Sequence, residues 1–386
     1  MKVAVIGPTY PIRGGISHYT TLMVRELRKR HRVLLVSYRK QYPRLLFPGR
    51  TQVDCSCERI ETESEPLLSF VNPFSLRRAA DRVAGFSPDV TVMMWVNPVL
   101  ALHFRYLAGR LRKSCPSAPL VFLCHNVLQH ERRVGDRALS KAAFRNADSF
   151  IVHGERQREE LEGLAPGVPV YVTPLPTFDV FACSAPKREE ARASLGIEED
   201  ARVLLFFGII RRYKGLEYLL EAMPEINRLT GGVKLLVVGE FWEGRNECAS
   251  RIERLGIADA VTLVDRYVPN EEVRIYFRAA DLVVLPYVQA SASAILQIAY
   301  GFGLPVVATL VGALSEVVED GKTGYLVPPK DPEAIARAVH VFFSYADPAE
   351  FRRNIQEYRR RFTWEGLART VEEAAGGGQG VTRPVF

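Results

Sequence analysis

Three cations fall within four residues in the stretch GIIRRYKG, Gly208 to Gly215: Arg211, Arg212 and Lys214. The apolar run RVLLFFG before it and the run LEYLLEAM after it place these cations in a strand-to-helix loop. Cations so placed suit a diphosphate leaving group, because charge-assisted contacts strengthen as negative charge develops on phosphate oxygens. A second stretch, LPYVQASASAILQIAYGFGLPVVAT from Leu285 to Thr309, has the same strand, loop, helix and strand but no acid. Between Asp281 and Glu316 there is no carboxylate, and two glutamines, Gln289 and Gln297, stand eight residues apart with Ser293 between them. An amide can accept and donate hydrogen bonds, but it cannot stabilise positive charge as a carboxylate does.

Two further places suit chemistry. In GPTYPIRGGISHY, Gly14 and Gly15 precede a helix, where a backbone without side chains can approach an anion at the helix N-terminus. In FLCHNVLQHE, His125 follows an apolar strand and is expected to face a ligand cleft, with Asn126 and Glu131 as lesser candidates beside it. Neither glycine segment is a GxxxxGK[ST] loop or a GxGxxG fingerprint, which argues against kinase and dehydrogenase chemistry.

The elements that must position these residues alternate along the chain. KVAVIG, RVLLVSY, DVTVMMW, PLVFLCHN, DSFIVHG and VYVTP read as strands, with amphipathic helices among them. A proline-rich, then charged stretch interrupts the series, and RVLLFFG, VKLLVVG, AVTLVD, DLVVLP, LPVVAT and GYLVP open a second one. The expectation is α/β: two Rossmann-like, doubly wound domains facing a central cleft. The expected boundaries are residues 1–178, a linker at 179–200, a second domain at 201–361, and a helix and tail at 362–386.

At 386 residues and 47% apolar, the chain is long enough for two cores. No apolar run reaches the roughly 20 residues that span a bilayer, and MKVAVIGPTY reads as a strand and not as a signal peptide. The expected location is cytoplasmic. Six cysteines without a paired CxxC pattern read as reduced thiols. The formal charge of +7 points to anionic partners, and the basic clusters RELRKRHR (25–32) and RYLAGRLRKS (105–114) carry much of it. Each reads either as a solvated helix face or as a contact with the anionic inner face of a membrane. No nucleic-acid motif accompanies the charge.

Nearly the whole chain resembles the group 1 (family 4-like) retaining glycosyltransferases of the GT-B fold. GPTYPIRGGISHYTTLMVREL, FGIIRRYKGLEYLLEAM, VVGEFWE, VTLVDRYVPNEEVRIYFRAADLVVLPY, LQIAYGFGLPVVAT and ALSEVVEDGKTGYLVPPKDPEAIARAV carry the resemblance by order and spacing. It implies transfer of a sugar from a nucleoside-diphosphate donor to an acceptor, with retained anomeric configuration and no cofactor or metal. It assigns Lys214 and Arg211 to the diphosphate, although the family arginine directly follows the first glycine, where this chain has Ile209. It sets Gly239 and Glu240 beside the nucleoside and the backbone of Tyr267 and Val268 against the base. An acidic pair binds donor sugar and ribose in the family, and Gln289 and Gln297 hold those positions here. Ala294, after Ser293, replaces a glycine common near the helix start. His125 matches a frequent family histidine, and Glu316 is assigned to orienting the donor loop. The acceptor stays open, a lipid-linked one included, as does the choice between front-face attack and double displacement. Two other readings are a non-catalytic sugar-nucleotide-binding protein, motivated by the glutamines, and a sugar-nucleotide epimerase, which the acid-free stretch disfavours.

Overall fold

Runs such as VAVI, VMMW and LVFL are apolar at every position, so their strands need cover on both faces, as in a parallel sheet between helix layers. The computed structural model describes residues 1–43, 47–128 and 135–376 and contains two such sheets. The chain divides into two units: Met1–Cys55, Arg59–Pro174 and the chain from Thr363 form one, and Ser56–Glu58 with Leu175–Phe362 form the other.

The first unit runs β1 (Lys2–Ile6), α1 (Gly15–Leu27), β2 (Arg32–Lys40), β3 (Glu65–Ser69), α2 (Pro73–Phe86), β4 (Val90–Trp95), α3 (Ala101–Ser114), β5 (Leu120–Cys124), α4 (Asp136–Phe144), β6 (Ser149–Val152), α5 (Glu155–Glu162) and β7 (Val170–Val172). Its strands lie parallel in the order β3-β2-β1-β4-β5-β6-β7. The core closes around Trp95, whose ring meets Phe104 at 5.4 Å and Phe144 at 4.7 Å in edge-on contacts.

The second unit runs α6 (Arg188–Ser194), β8 (Val203–Phe207), α7 (Leu216–Thr230), β9 (Lys234–Val238), α8 (Arg245–Arg254), β10 (Val261–Val264), α9 (Asn270–Ala279), β11 (Leu282–Leu285), α10 (Ala294–Gly301), β12 (Val306–Thr309), α11 (Leu314–Val317), β13 (Gly324–Val327), α12 (Pro332–Tyr345) and α13 (Pro348–Tyr358). The last helix, α14 (Trp364–Ala375), returns to the first unit and packs on α1, β5 and β6. Strand order in the second sheet is β10-β9-β8-β11-β12-β13, all parallel. Strand order reverses at β8, so the gap between the carboxyl ends of β8 and β11 is the topological switch point where such sheets receive ligands.

One expectation is corrected. The stretch expected as a linker, 179–200, carries α6 and belongs to the second unit, which begins at Leu175 and ends at Phe362. Arg192 on α6 is 1% exposed and donates to Asp281 Oδ2 at 3.0 Å, to Ala279 O at 3.1 Å and to Ala201 O at 2.8 Å. Arg188 also pairs with Asp281, whose Oδ2 accepts from Val203 N at 2.8 Å. The charged residues that suggested solvent therefore tie α6 to the start of β8 and β11.

The basic cluster at 25–32 is likewise engaged within the protein. Arg25 and Arg28 donate to the backbone of Glu61 and Glu63, and Arg30 and His31 meet Glu372 on α14. Val24 and Leu27 are fully buried, so α1 offers lipid no apolar face from those residues. The helix at 100–113 differs: Leu100, Phe104 and Leu107 are buried, but Leu102 is 65% exposed.

Replacing Asp281 with Ala leaves the buried Arg192 guanidinium without its counter-charge, with only backbone carbonyls to accept from it. Breaking a buried pair costs about 3–5 kcal/mol, and urea unfolding of Asp281→Ala is expected to show a loss of that order in the second unit; an unchanged midpoint would contradict the clamp.

Candidate functional site

The switch point of the second unit is built by backbone packed on backbone. Gly215 has φ 67°, and a Cβ there would stand 1.9 Å from Pro286 O, so the loop after β8 lies directly on the end of β11. Gly239 has φ 144°, and its Cβ would stand 2.1 Å from Gly208 O, which brings the loop after β9 equally close. Val288 N donates to Tyr213 O at 2.7 Å and fixes the register of the loops after β8 and β11.

Lys214 is buried in this nest of loops. Its Nζ lies 5.6 Å from the centre of the Tyr287 ring, and among the described residues no carboxylate or carbonyl accepts from it. Burial, and then the neighbouring Arg211, hold its pKa down to about 8. Arg211 stands beside the rings of Tyr213 and Trp242, at 5.6 and 6.0 Å, and 3.8 Å from Glu243. Arg212 is committed elsewhere: its Nη2 pairs with Glu247 of α8 at 3.0 Å and its backbone N–H donates to Glu243. The three cations of the loop thus separate into a pair at the switch point and one exposed, helix-bound arginine.

The helix after β11 begins at Ser293, whose Oγ caps it by accepting from Leu296 N at 3.2 Å. Gln297 follows one turn later and is 1% exposed; its Oε1 is buried with no hydrogen-bond partner. Gln289 is exposed on the preceding loop. The two glutamines therefore differ, one lying on the surface and the other holding an unsatisfied acceptor inside. Glu240 is buried, and its Oε2 lies 3.4 Å from Trp242 Nε1 while its carbonyl accepts from Ile210 N. Tyr267 and Val268 connect β10 to α9, with Val268 buried. Glu316 is half-buried on the short α11.

In the first unit α1 starts at Gly14, φ 114°, with no side-chain cap and open space where a Cβ would project; Gly15 beside it is exposed. His125 closes β5. Its ring stands edge-on to Tyr19 at 4.4 Å and lies 5.4 Å from His153, which follows the adjacent β6. Tyr19 also touches Trp364 of α14 at 5.3 Å. Tyr19 Oη, His125 Nε2 and His153 Nε2 are buried without hydrogen-bond partners, while His153 Nδ1 lies 3.0 Å from Thr173 O. Burial, and then His153, push the His125 pKa well below its ordinary value, and burial sets that of His153 to about 4. Both imidazoles are neutral near pH 7, so a hydrogen bond and not a charge is what His125 can offer. Asn126 is partly buried beside it, and Glu131 lies outside the described residues.

His153, Tyr19, Tyr287 and Asp281 were not singled out in the sequence. A signal for His153 existed. It follows DSFIV as His125 follows PLVFLC, and the pairing Leu123↔Ile151 carries the two histidines to neighbouring strand ends.

Comparison with known proteins places these features in context. The family described as "Glycosyl transferase 4-like domain" matches residues 14–177, and "Glycosyl transferases group 1" matches residues 201–344. The D-inositol 3-phosphate glycosyltransferase of Mycolicibacterium gilvum is 32% identical over 58% of this chain and 50% of its own length. That of Corynebacterium diphtheriae is 29% identical over 69% of this chain and 67% of its own. The chain thus spans about half to two thirds of these two relatives. Among solved structures, sucrose-phosphate synthase from Thermosynechococcus elongatus superposes with a TM-score of 0.73 at 21% identity, covering 97% of this chain and 98% of that one. Anabaena HepE, solved with UDP and glucose, gives 0.73 at 18% identity over 97% and 99%. These likenesses show the fold, two Rossmann-like halves of the GT-B type.

Two measurements follow from the perturbed groups. A charge on Lys214 is disfavoured in the folded protein, a cost present below about pH 8 that fades as pH rises toward 10.5. Lys214→Met is expected to raise stability at pH 7 by on the order of 1–3 kcal/mol, with a smaller gain at pH 10, while weakening nucleoside-diphosphate binding at least about tenfold. Thermal unfolding at the two pH values, with calorimetry of a nucleoside diphosphate, checks both halves. For His153 the neutral form is favoured on folding, so the contribution is complete above pH 6.5 and is lost as pH falls toward 4. The loss reaches about 3 kcal/mol at pH 4, and a stability profile of His153→Gln is expected to be flatter than wild type across that window.

Proposed function

Because the chain belongs to the group 1 glycosyl transferases, we propose that it moves a sugar from a nucleoside-diphosphate sugar to an acceptor with retention of anomeric configuration. The observation that carries this reading is Lys214, a buried cation without an acceptor, held beside Arg211 at the switch point of the second unit. An ammonium largely shielded from water and without a carboxylate partner is preorganised for an anion that arrives and gains charge during reaction. The bond from the anomeric carbon to the diphosphate breaks, and Lys214 and Arg211 take the developing negative charge. The acceptor hydroxyl forms the new bond on the vacated face and passes its proton to a departing phosphate oxygen. Gln289 cannot act as a carboxylate nucleophile, which favours this direct route over a covalent intermediate.

Gln297 is assigned to the ribose, whose hydroxyl can donate to the buried Oε1, and Gln289 to the donor sugar. Gly239, Glu240, Tyr267 and Val268 border the nucleoside, Ser293 and the amides after it face phosphate, and Glu316 orients the loop. Gly14 and Gly15 offer a bare helix start, and neutral His125 orients a hydroxyl. No metal is assigned a role. Anabaena HepE, which shares this fold, has been solved with UDP and with UDP-glucose, which supports the donor class; the acceptor stays unassigned.

Incubation with a panel of sugar nucleotides in the presence of a chelator tests the reading. Slow donor hydrolysis or transfer is expected, with Gln297→Ala weakening nucleoside-diphosphate binding by roughly 1–2 kcal/mol and Gln297→Glu tolerated. Stabilisation by donors without turnover would favour a binding protein, isomerised donor an epimerase, and metal-rescued loss of activity a different mechanism.

We also infer a peripheral membrane contact through the first unit, at a place narrower than its basic clusters. Phe74 is 78% exposed on α2, with Val71 before it; Val99, Leu102 and Tyr106 are exposed on and just before α3. The contact of Phe70 with His103, 4.9 Å between ring centres, brings these two groups together. Exposed Arg78 and Arg105 lie on the same helices. Exposed apolar side chains on helices that also carry exposed cations suit an anionic lipid surface. Sedimentation with anionic vesicles at low salt is expected for wild type and lost in Phe74→Asp/Leu102→Asp; equal recovery of both proteins would discard this contact.

A further inference from the structure

The carboxyl-terminal ends of α9 and α10 border a cavity of about 460 Å³ in the second unit, lined by Lys187, Arg188, Arg278, Phe302, Leu304 and Arg352 among others. Its charge is one-sided. Arg188 is spent on Asp281, and Glu189 is the one carboxylate among the lining residues. Arg278 lies over the Phe302 ring at 5.5 Å with its Nε buried and without an acceptor. The stem of Arg352 crosses Gly303, where a Cβ would come within 3.1 Å of Arg352 Cγ. Among the described residues Lys187, Arg278 and Arg352 form no ion pair.

Cations near helix carboxyl ends ordinarily complement the helix dipole and its last carbonyls. Here other residues serve those carbonyls. Arg192 donates to Ala279 O at 3.1 Å, and Arg359 donates to Gly301 O at 2.9 Å and Tyr300 O at 3.3 Å. Arg278 and Arg352 are therefore surplus to capping, and two like charges border one cavity with no ion pair to either among the described residues and Glu189 as its one lining carboxylate. We propose that this cavity is a second anion site, taking a phosphate-bearing small molecule whose phosphoryl oxygens engage Arg278, Arg352 and Lys187 while Phe302 and Leu304 wall the remainder. A volume of this size suits a small metabolite. The site is separate from the Lys214 loop and does not depend on the transferase reading. It lies at the ends of two helices whose opposite ends follow Tyr267–Val268 and Ser293.

Inorganic pyrophosphate is the probe, titrated calorimetrically into Lys214→Ala protein so that the switch-point cation no longer contributes. One-to-one binding with a Kd below about 1 mM is expected. Adding Arg352→Glu is expected to weaken it at least about tenfold, and Arg278→Gln likewise, with thermal unfolding verifying that this less exposed variant is folded. Arg360→Glu removes an exposed arginine of the same unit outside the cavity and is expected to leave the affinity unchanged. Absence of saturable binding, insensitivity to Arg352→Glu, or equal weakening by Arg360→Glu would overturn the site; should Arg278→Gln not fold, Arg352→Glu decides alone.

Discussion

The second unit depends on one carboxylate. Asp281 stands just before β11 and receives Arg188, Arg192 and the first backbone N–H of β8. Everything at the switch point presupposes that β8 and β11 are neighbours in a fixed register, because the loops after them contact backbone to backbone with no side chain to take up slack. The clamp at the amino ends of these strands and the candidate site at their carboxyl ends are two expressions of the same pairing. A shift of either strand would open the contact of Gly215 with Pro286 and expose Lys214 to water.

The site thereby carries local costs that the core must offset. A buried ammonium without a counter-charge, a buried amide oxygen without a donor, and two neutral imidazoles with idle nitrogens each oppose folding. Such groups are scarce in well-satisfied interiors. Those at strand ends and at the starts of the helices that follow, Lys214, Gln297, His125 and His153, are the ones that coincide with candidate binding residues. The exposed arginines of the same loops, Arg212 with Glu247 for example, show the contrasting pattern of satisfied, screened surface pairs.

Much of this was legible in the residues. Apolar strands alternating with amphipathic helices gave the two parallel sheets, and the loop RRYK was readable as cationic. What was hidden is direction and partnership. The charged run REEARAS looks solvated because a sequence does not display the carboxylate at 281 that will receive Arg192. The cluster RELRKRHR looks like a surface patch because its acceptors, the carbonyls near 61–63 and Glu372, are distant in sequence. Burial of Gln297, as against exposure of Gln289, follows from helix phase after Ser293, which fixes only once the cap is known. The exposed apolar cluster around Phe74 escaped notice because it joins two helices that are each unremarkable alone.

The return of α14 to the first unit bears on how the protein is made. Trp364 packs against Tyr19, and the helix covers α1 and the ends of β5 and β6, so the first unit to be synthesised lacks part of its core until residues beyond 363 leave the ribosome. The second unit, continuous from Leu175 to Phe362 apart from three residues, has nearly all its sequence earlier. Vectorial synthesis then reverses the usual order in which the amino-terminal domain finishes first. During that interval β5, β6 and the Tyr19 pocket await their last helix, a window in which chaperones would find apolar surface to hold.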